Sequence, residues 1–272
     1  MNFEFFSRPA IIQVTNDLKN KYNISEKEAS TMLMYDGVKI YTTMNRNMQA
    51  KSQNLIDAPM NSSQAKLQAS CVIIDYHTGE VKTIIGGRNV KVPISYNRAA
   101  YDNKFLRAPG SSIKPLTVYS PAINTKIATA STVIEDSPIP SPGYNPNNDD
   151  YKYKGYLTLR DALMYSDNIA AVKFENLIGI NTGATYGEKF GLKLNSVDSN
   201  SLSAMSLGQL DSGTNPLTMA DAYGVFGNKG NLTTPRLYTK VIDRTGKILL
   251  ETKAETTPVL SPQSAYIMYD LL

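Results

Sequence analysis

The sequence predicts a fold that mixes α-helices with β-hairpins, and three patterns carry that prediction. Continuous apolar runs joined by short polar turns occur at residues 71–85 and 237–250, the pattern of hairpins. Apolar residues at helical spacing recur in several stretches between them, two of which follow a Ser or Thr with an acidic residue three positions later. With 42% hydrophobic residues in 272, the chain can build a substantial core.

In order, Ile11, Ile12, Val14, Leu18 and Tyr22 predict a helix over about 9–21. Ser25 and Glu28 form a capping-box pair at the start of a second. Residues 38–43 alternate and are β-branched, which predicts a strand, and Asn45 can cap the helix after it. The first hairpin follows, with Gly79 in its turn, and then an irregular segment over 91–109. Ile113, Leu116, Val118, Tyr119, Ala122 and Ile123 predict an α-helix starting near Ser111, after the Pro109-Gly110 turn.

Residues 137–154 are rich in Pro, Asn, Asp and Tyr and have no period, and loops this long are usually functional or disordered. Thr158 and Asp161 open another helix, which stops at Ser166-Asp167-Asn168. The next runs through Ile169, Val172, Phe174, Leu177 and Ile178 to Gly179. Further helices are predicted over 182–190 and 217–227, and a last one from Ser261 or Gln263 to Leu272.

Composition excludes several chemistries. Twenty-eight basic against twenty-four acidic residues, without a long run, give +4, so neither nucleic acid nor an anionic membrane is indicated. Cys71 is the only cysteine, which removes internal disulfides and cysteine-rich metal sites. His77 is the only histidine and falls in a hairpin turn, so a Ser-His-Asp triad is not expected. No metal or cofactor is expected.

Ser111 and Lys114 are the candidate chemistry. A helix start brings residues three apart onto one face, and a lysine can activate a serine when desolvation, worth up to ~3–5 pH units, lowers its pKa. The positive end of the helix dipole favours an oxyanion there. A second Ser-x-x-Lys, Ser63 to Lys66, lies in a polar stretch without a Pro-Gly turn. Ser-x-Asn also recurs, at Ser52 and Ser95, but only Ser166-Asp167-Asn168 sits at a helix corner downstream of the Ser111 segment.

Taken together, these residues resemble the penicilloyl serine transferases, whose signature is Ser-x-x-Lys, Ser-Asp-Asn and Lys-Thr-Gly. More narrowly, residues 37–43 with Gln49, 97–99, 109–115, 156–163 and 216–223 resemble class A penicillin-binding proteins in order. The resemblance implies an α+β fold, a mainly antiparallel sheet flanked by helices with an all-helical lobe bearing Ser166 and Asn168. It also implies a peptidoglycan D,D-transpeptidase acting through an acyl-enzyme on Ser111, with β-lactam antibiotics and D-Ala-D-Ala stem peptides as its partners. Lys114 would accept the Ser111 proton and Ser166 would relay one to the amine. Asn168 would bind the substrate amide and help place Lys114.

Lys-Thr-Gly does not occur; Asp211-Ser212-Gly213-Thr214 is its nearest imitation, read here as a loop. By the resemblance, residues 1–66 are an interdomain linker module. Residues 67–272 are then a transpeptidase domain lacking its C-terminal strands, whose missing segment would be a partner. The parent protein is expected to be membrane-anchored, to carry a glycosyltransferase domain, and to work on the extracytoplasmic face of a bacterial membrane, this chain being a soluble fragment. The alternatives are a D,D-carboxypeptidase or β-lactamase-type hydrolase, or a non-catalytic scaffold of the same fold.

Overall fold

Side-chain caps set many of the helix starts, and those at Ser25, Asn45, Thr158 and Ser261 lie where the sequence placed them. The computed structural model describes residues 3–58, 67–90, 96–101, 103–139, 144 and 146–272. Along the chain come α1 (Glu4–Tyr22), α2 (Glu26–Tyr35), β1 (Lys39–Thr42), α3 (Arg46–Asp57), β2 (Cys71–Asp75) and β3 (Glu80–Ile85). Next are α4 (Ser120–Asn124), β4 (Val133–Asp136), β5 (Gly155–Thr158), α5 (Leu159–Met164), α6 (Asn168–Ile178), α7 (Ile180–Lys189), α8 (Ser196–Ser199), α9 (Leu202–Leu207) and α10 (Pro216–Gly227). The chain continues through β6 (Asn231–Thr233), β7 (Tyr238–Ile242), β8 (Ile248–Glu251), β9 (Thr256–Pro258) and α11 (Pro262–Leu271). Both capping boxes form, Ser25 with Glu28 and Thr158 with Asp161. Asn45 caps α3 and Ser261 caps α11.

The chain divides into two compact units, Met1–Phe105 with Thr233–Glu255, and Leu106–Leu232 with Thr256–Leu272. The boundary at 66/67 falls beside residues 59–66, which are outside those described, as is the Ser63 to Lys66 motif. In the first unit, β1, β7 and β8 form an antiparallel sheet with Val241 opposite both Ile40 and Leu250. Val14 and Leu18 of α1 and Ala29 of α2 join Tyr238, Val241 and Leu250 in one core. The first helix begins earlier than its periodicity predicts and runs through Pro9. Pro9 has no N–H for the Phe5 carbonyl four residues back, and the Asn97 amide supplies the missing donor at 3.1 Å. The first hairpin forms as expected, Cys71 opposite Ile85. Buried Gln49 hydrogen-bonds the Ile84 backbone in both directions, at 2.8 and 2.9 Å.

The second unit is mainly helical. One apolar core takes Ile113, Leu116 and Tyr119 together with residues from α5, α6, α7, α9, α10 and α11. A two-stranded antiparallel sheet, β4 with β5, lies beside the segment that precedes α6. Along α6 the buried stripe is Ala171, Phe174, Glu175 and Ile178, the i, i+3, i+4, i+7 pattern, so Leu177 points outward, 57% exposed. Glu175 is fully buried with neither carboxyl oxygen hydrogen-bonded. Gly183 makes room for it, since a Cβ there would meet Glu175 Oε1 at 2.1 Å. Burial pushes the Glu175 pKa up to about 9, so the group is held protonated and neutral.

Candidate active site

The Ser111 segment is not the regular α-helix that its periodicity predicts. In an α-helix the Ser111 carbonyl would accept from residue 115, but Pro115 has no N–H. The Lys114 N–H takes that carbonyl instead, giving a 3₁₀ turn over Gly110–Ile113. Residues Pro115–Tyr119 then form a π-helical turn, in which the Ser120 N–H reaches the Pro115 carbonyl. Pro121, likewise without an N–H, opens the single α-helical turn and a half of α4. Thr117 ties this irregular helix to α9, its hydroxyl donating to the Met205 carbonyl at 2.6 Å.

The turn itself rests on backbone. The Gly110 N–H donates to the Gly208 carbonyl at 3.2 Å, and Gly208 ends α9 at a left-handed φ of 72°. A Cβ on Gly208 would meet the Gly110 carbonyl oxygen at 2.1 Å. Gly208→Ala therefore combines a clash between main chains with an unfavourable φ. Thermal unfolding should show a loss of about 1–3 kcal/mol. Unchanged stability would mean that this contact is not closely packed. On the other side of the turn, the Tyr223 hydroxyl of α10 donates to the Ser112 carbonyl at 2.8 Å, and the Ser112 hydroxyl donates to Pro109 at 2.7 Å. Ser111 is exposed.

Lys114 is 1% exposed. Its Nζ donates to the Ser166 carbonyl at 2.6 Å, Asn168 Oδ1 at 2.8 Å, Ser166 Oγ at 3.2 Å and the Asp167 carbonyl at 3.3 Å. Sequence reasoning set Lys114, Ser166 and Asn168 in one site, and the structure brings all three into contact. Burial lowers the Lys114 pKa to about 8, against the opposing pull of the Asp167 carboxylate. A neutral amine is thus accessible near neutral pH.

The corner that delivers Ser166 and Asn168 is tight. Ser166 adopts φ 53°, with its N–H on the Leu163 carbonyl at 3.0 Å. Asp167 caps α6 through the Ala170 N–H at 2.8 Å. Its other oxygen has no hydrogen-bond partner, and burial, followed by the nearby Asp136 carboxylate, raises its pKa.

Sequence reasoning missed the support behind this corner. Asn148, 4% exposed, accepts from the Asn168 N–H at 2.9 Å and donates to both oxygens of fully buried Asp136 at 3.0 Å. The Asn168 side-chain amide donates to the Asn147 carbonyl at 2.9 Å. The only available signal was the long Asn- and Asp-rich loop itself.

The remaining residues singled out in the sequence lie elsewhere in the fold. Ser52 and Asn54 lie within α3, while Ser95 is outside the described residues. His77 is exposed in the hairpin turn, its N–H on Asp75 at 3.0 Å. Residues 211–214 form a loop anchored by buried Asp198, which accepts the Asp211 N–H at 2.6 Å, and by the Arg107–Thr214 backbone pair. No cluster of metal-ligating side chains occurs among the described residues, and none of their helices is long and apolar enough to cross a membrane.

Comparison with known proteins gives the family and the fold. The model of the penicillin binding protein transpeptidase domain matches residues 69–272. The chain is 54% identical to penicillin-binding protein 1A of Clostridium botulinum strain Hall, over 99% of this chain and 34% of that protein. It is 38% identical to penicillin-binding protein 4 of Bacillus subtilis, over 84% of this chain and 36% of that protein. Among solved structures, penicillin-binding protein 1A from Haemophilus influenzae shares the fold with a TM-score of 0.74 at 20% identity, over 97% of this chain and 57% of that one. PonA1 from Mycobacterium tuberculosis, solved in complex with penicillin V, also gives 0.74 at 20%, over 93% and 66%.

An exposed serine one turn before a buried lysine is a pairing of the kind that nucleophilic catalysis uses. By its sequence, the chain belongs to the penicillin-binding protein transpeptidase domain family. It spans about a third of the length of the curated relatives it matches.

Proposed function

We propose that the chain carries the acylating half of a peptidoglycan D,D-transpeptidase site, with Ser111 as nucleophile and β-lactams as covalent inhibitors. The observation that supports this most strongly is the neutralisable Lys114 amine held between Ser166 Oγ and Asn168 Oδ1. Ser111 Oγ attacks the penultimate D-Ala carbonyl of a stem peptide and its proton passes to Lys114 Nζ. The tetrahedral oxyanion faces the Ser111 backbone N–H. Collapse breaks the peptide bond, and the leaving D-Ala amine takes a proton relayed through Ser166 from Lys114. An amine of a second stem then attacks the ester, gives up a proton along the same route, and releases Ser111 as the hydroxyl. Asn168 binds the substrate amide. The second oxyanion donor and the carboxylate-binding cation belong to a Lys-Thr-Gly segment that these 272 residues do not contain.

In this reading residues 1–66 are a linker module, and the protein to which the domain belongs works outside the bacterial cell membrane. The test is intact mass after benzylpenicillin treatment, with peptide mapping, on this chain and on one extended by a Lys-Thr-Gly-bearing C-terminal segment. One adduct on the Ser111 peptide is expected. Its formation rate should rise with pH through about 8, because Lys114 acts as a base only when neutral. An adduct that turns over within seconds would favour the hydrolase reading, and no adduct on either chain would favour the scaffold.

A further inference from the structure

We propose that Asn148 is a positioning residue for Lys114, acting through Asn168, and that Asp136 holds Asn148 in place for that task. The proposal rests on the reading of Lys114 as the base of an acylation site.

The first N–H groups of a helix have no partner within it. In α6, Asp167 satisfies only the Ala170 N–H, as an N-cap side chain ordinarily does. The two before it, on Asn168 and Ile169, are taken by Asn148 Oδ1 at 2.9 and 3.4 Å, from twenty residues upstream. Asn148 is therefore a second cap, contributed by a different segment of the chain. Its orientation is determined, because its nitrogen faces acceptors only: the Asp136 carboxylate at 3.0 Å and the Lys152 carbonyl at 2.9 Å. Asp136 in turn accepts the Lys154 N–H at 2.6 Å, so the strut begins on main chain. Both linking side chains are buried, where an unmade hydrogen bond is penalised most.

The far end of the strut is the functional one. With its N–H on Asn148 and its Nδ2 on the Asn147 carbonyl, Asn168 is left with Oδ1 directed at Lys114 Nζ, 2.8 Å away. That oxygen is one of four acceptors around the amine, and an acceptor stabilises the ammonium form. The charged groups facing this cluster are the Asp167 carboxyl, Asp136 behind it, and Lys154 beyond.

The test uses the full chain in the Asn148→Ala and milder Asn148→Ser variants. Asn195→Ala serves as a control that also removes a helix cap, on the Val197 and Asp198 N–H groups, but none that touches Lys114. Lysine-selective NMR titration reads the Lys114 midpoint directly, and benzylpenicillin acylation is followed against pH. Loss of the Asn168 acceptor should lower the Lys114 midpoint by about one pH unit in Asn148→Ala, and by less in Asn148→Ser. The acylation rate should fall at least tenfold while its pH limb moves the same way. The control should lose stability with its midpoint unmoved. A Lys114 midpoint that stays or rises in both Asn148 variants overturns the proposal. A lowered midpoint in a chain whose parent forms no penicillin adduct upholds the positioning role and overturns the acylation reading alone.

Discussion

Ser111→Ala is expected to abolish the covalent penicillin adduct completely while leaving the fold intact. The side chain is exposed, and alanine fits the same 3₁₀ turn, so the unfolding midpoint should stay within about 0.5 kcal/mol of the parent. The lysine, the Ser166–Asn168 corner and the backbone donor all remain, yet none of them can form the ester bond. Neighbouring hydroxyls do not substitute. The Ser112 hydroxyl is committed to the Pro109 carbonyl at 2.7 Å, and Ser166 Oγ lies against Lys114 at 3.2 Å as its partner. Intact mass and a fluorescent-penicillin gel read the outcome. Persistence of a stoichiometric adduct would transfer the nucleophile to another residue and undo the assignment.

Lys114→Met and Lys114→Arg should each reduce the acylation rate by about 10²–10⁴, the usual contribution of a positioned general base. The two substitutions fail for different reasons, which gives the pair its value. Methionine approximates the length of lysine and relieves the desolvation of a buried charge, but it takes the lysine donor away from the Ser166 carbonyl and Asn168 Oδ1. Arginine keeps charge and donors but does not deprotonate in a protein. In both variants the rate increase through about pH 8 should vanish, since the group that titrates there is gone. An arginine variant that retains most of the rate would show that Lys114 supplies charge, not proton acceptance.

Features legible in the sequence are those encoded within a few residues. The capping boxes at Ser25 and Thr158, the caps at Asn45 and Ser261, and both hairpins rest on local spacing, and each formed. Ser111, Lys114, Ser166 and Asn168 stand out in the sequence because two short motifs lie at helix starts. The partners that hold them were hidden, because nothing in a sequence ties Asn148 to Asn168 or Gly208 to Gly110. Likewise β1 alternates plainly, but its pairing with β7, some two hundred residues later, is not written locally. Glu175 fell on the apolar stripe of α6 with its charged form suppressed, and residue identity alone pointed the other way. The helical ladder after Pro109 is less regular than its periodicity predicts. Pro115 looks harmless in the sequence, as a first-turn residue whose N–H would have no partner, yet the chain passes from a 3₁₀ turn to a π turn there.

That ladder has a geometric consequence at its first turn. A 3₁₀ turn holds three residues, so side chains at i and i+3 eclipse when viewed down the axis. In an α-helix the same two positions would be rotated apart by about 60°. Ser111 and Lys114 are joined by the 3₁₀ hydrogen bond from the Lys114 N–H to the Ser111 carbonyl. Ideal geometry of that turn sets position 111 in line with position 114 instead of around the cylinder from it. Proline at position 115 thus bears on the angular phase of Ser111 relative to Lys114, through a hydrogen that it lacks.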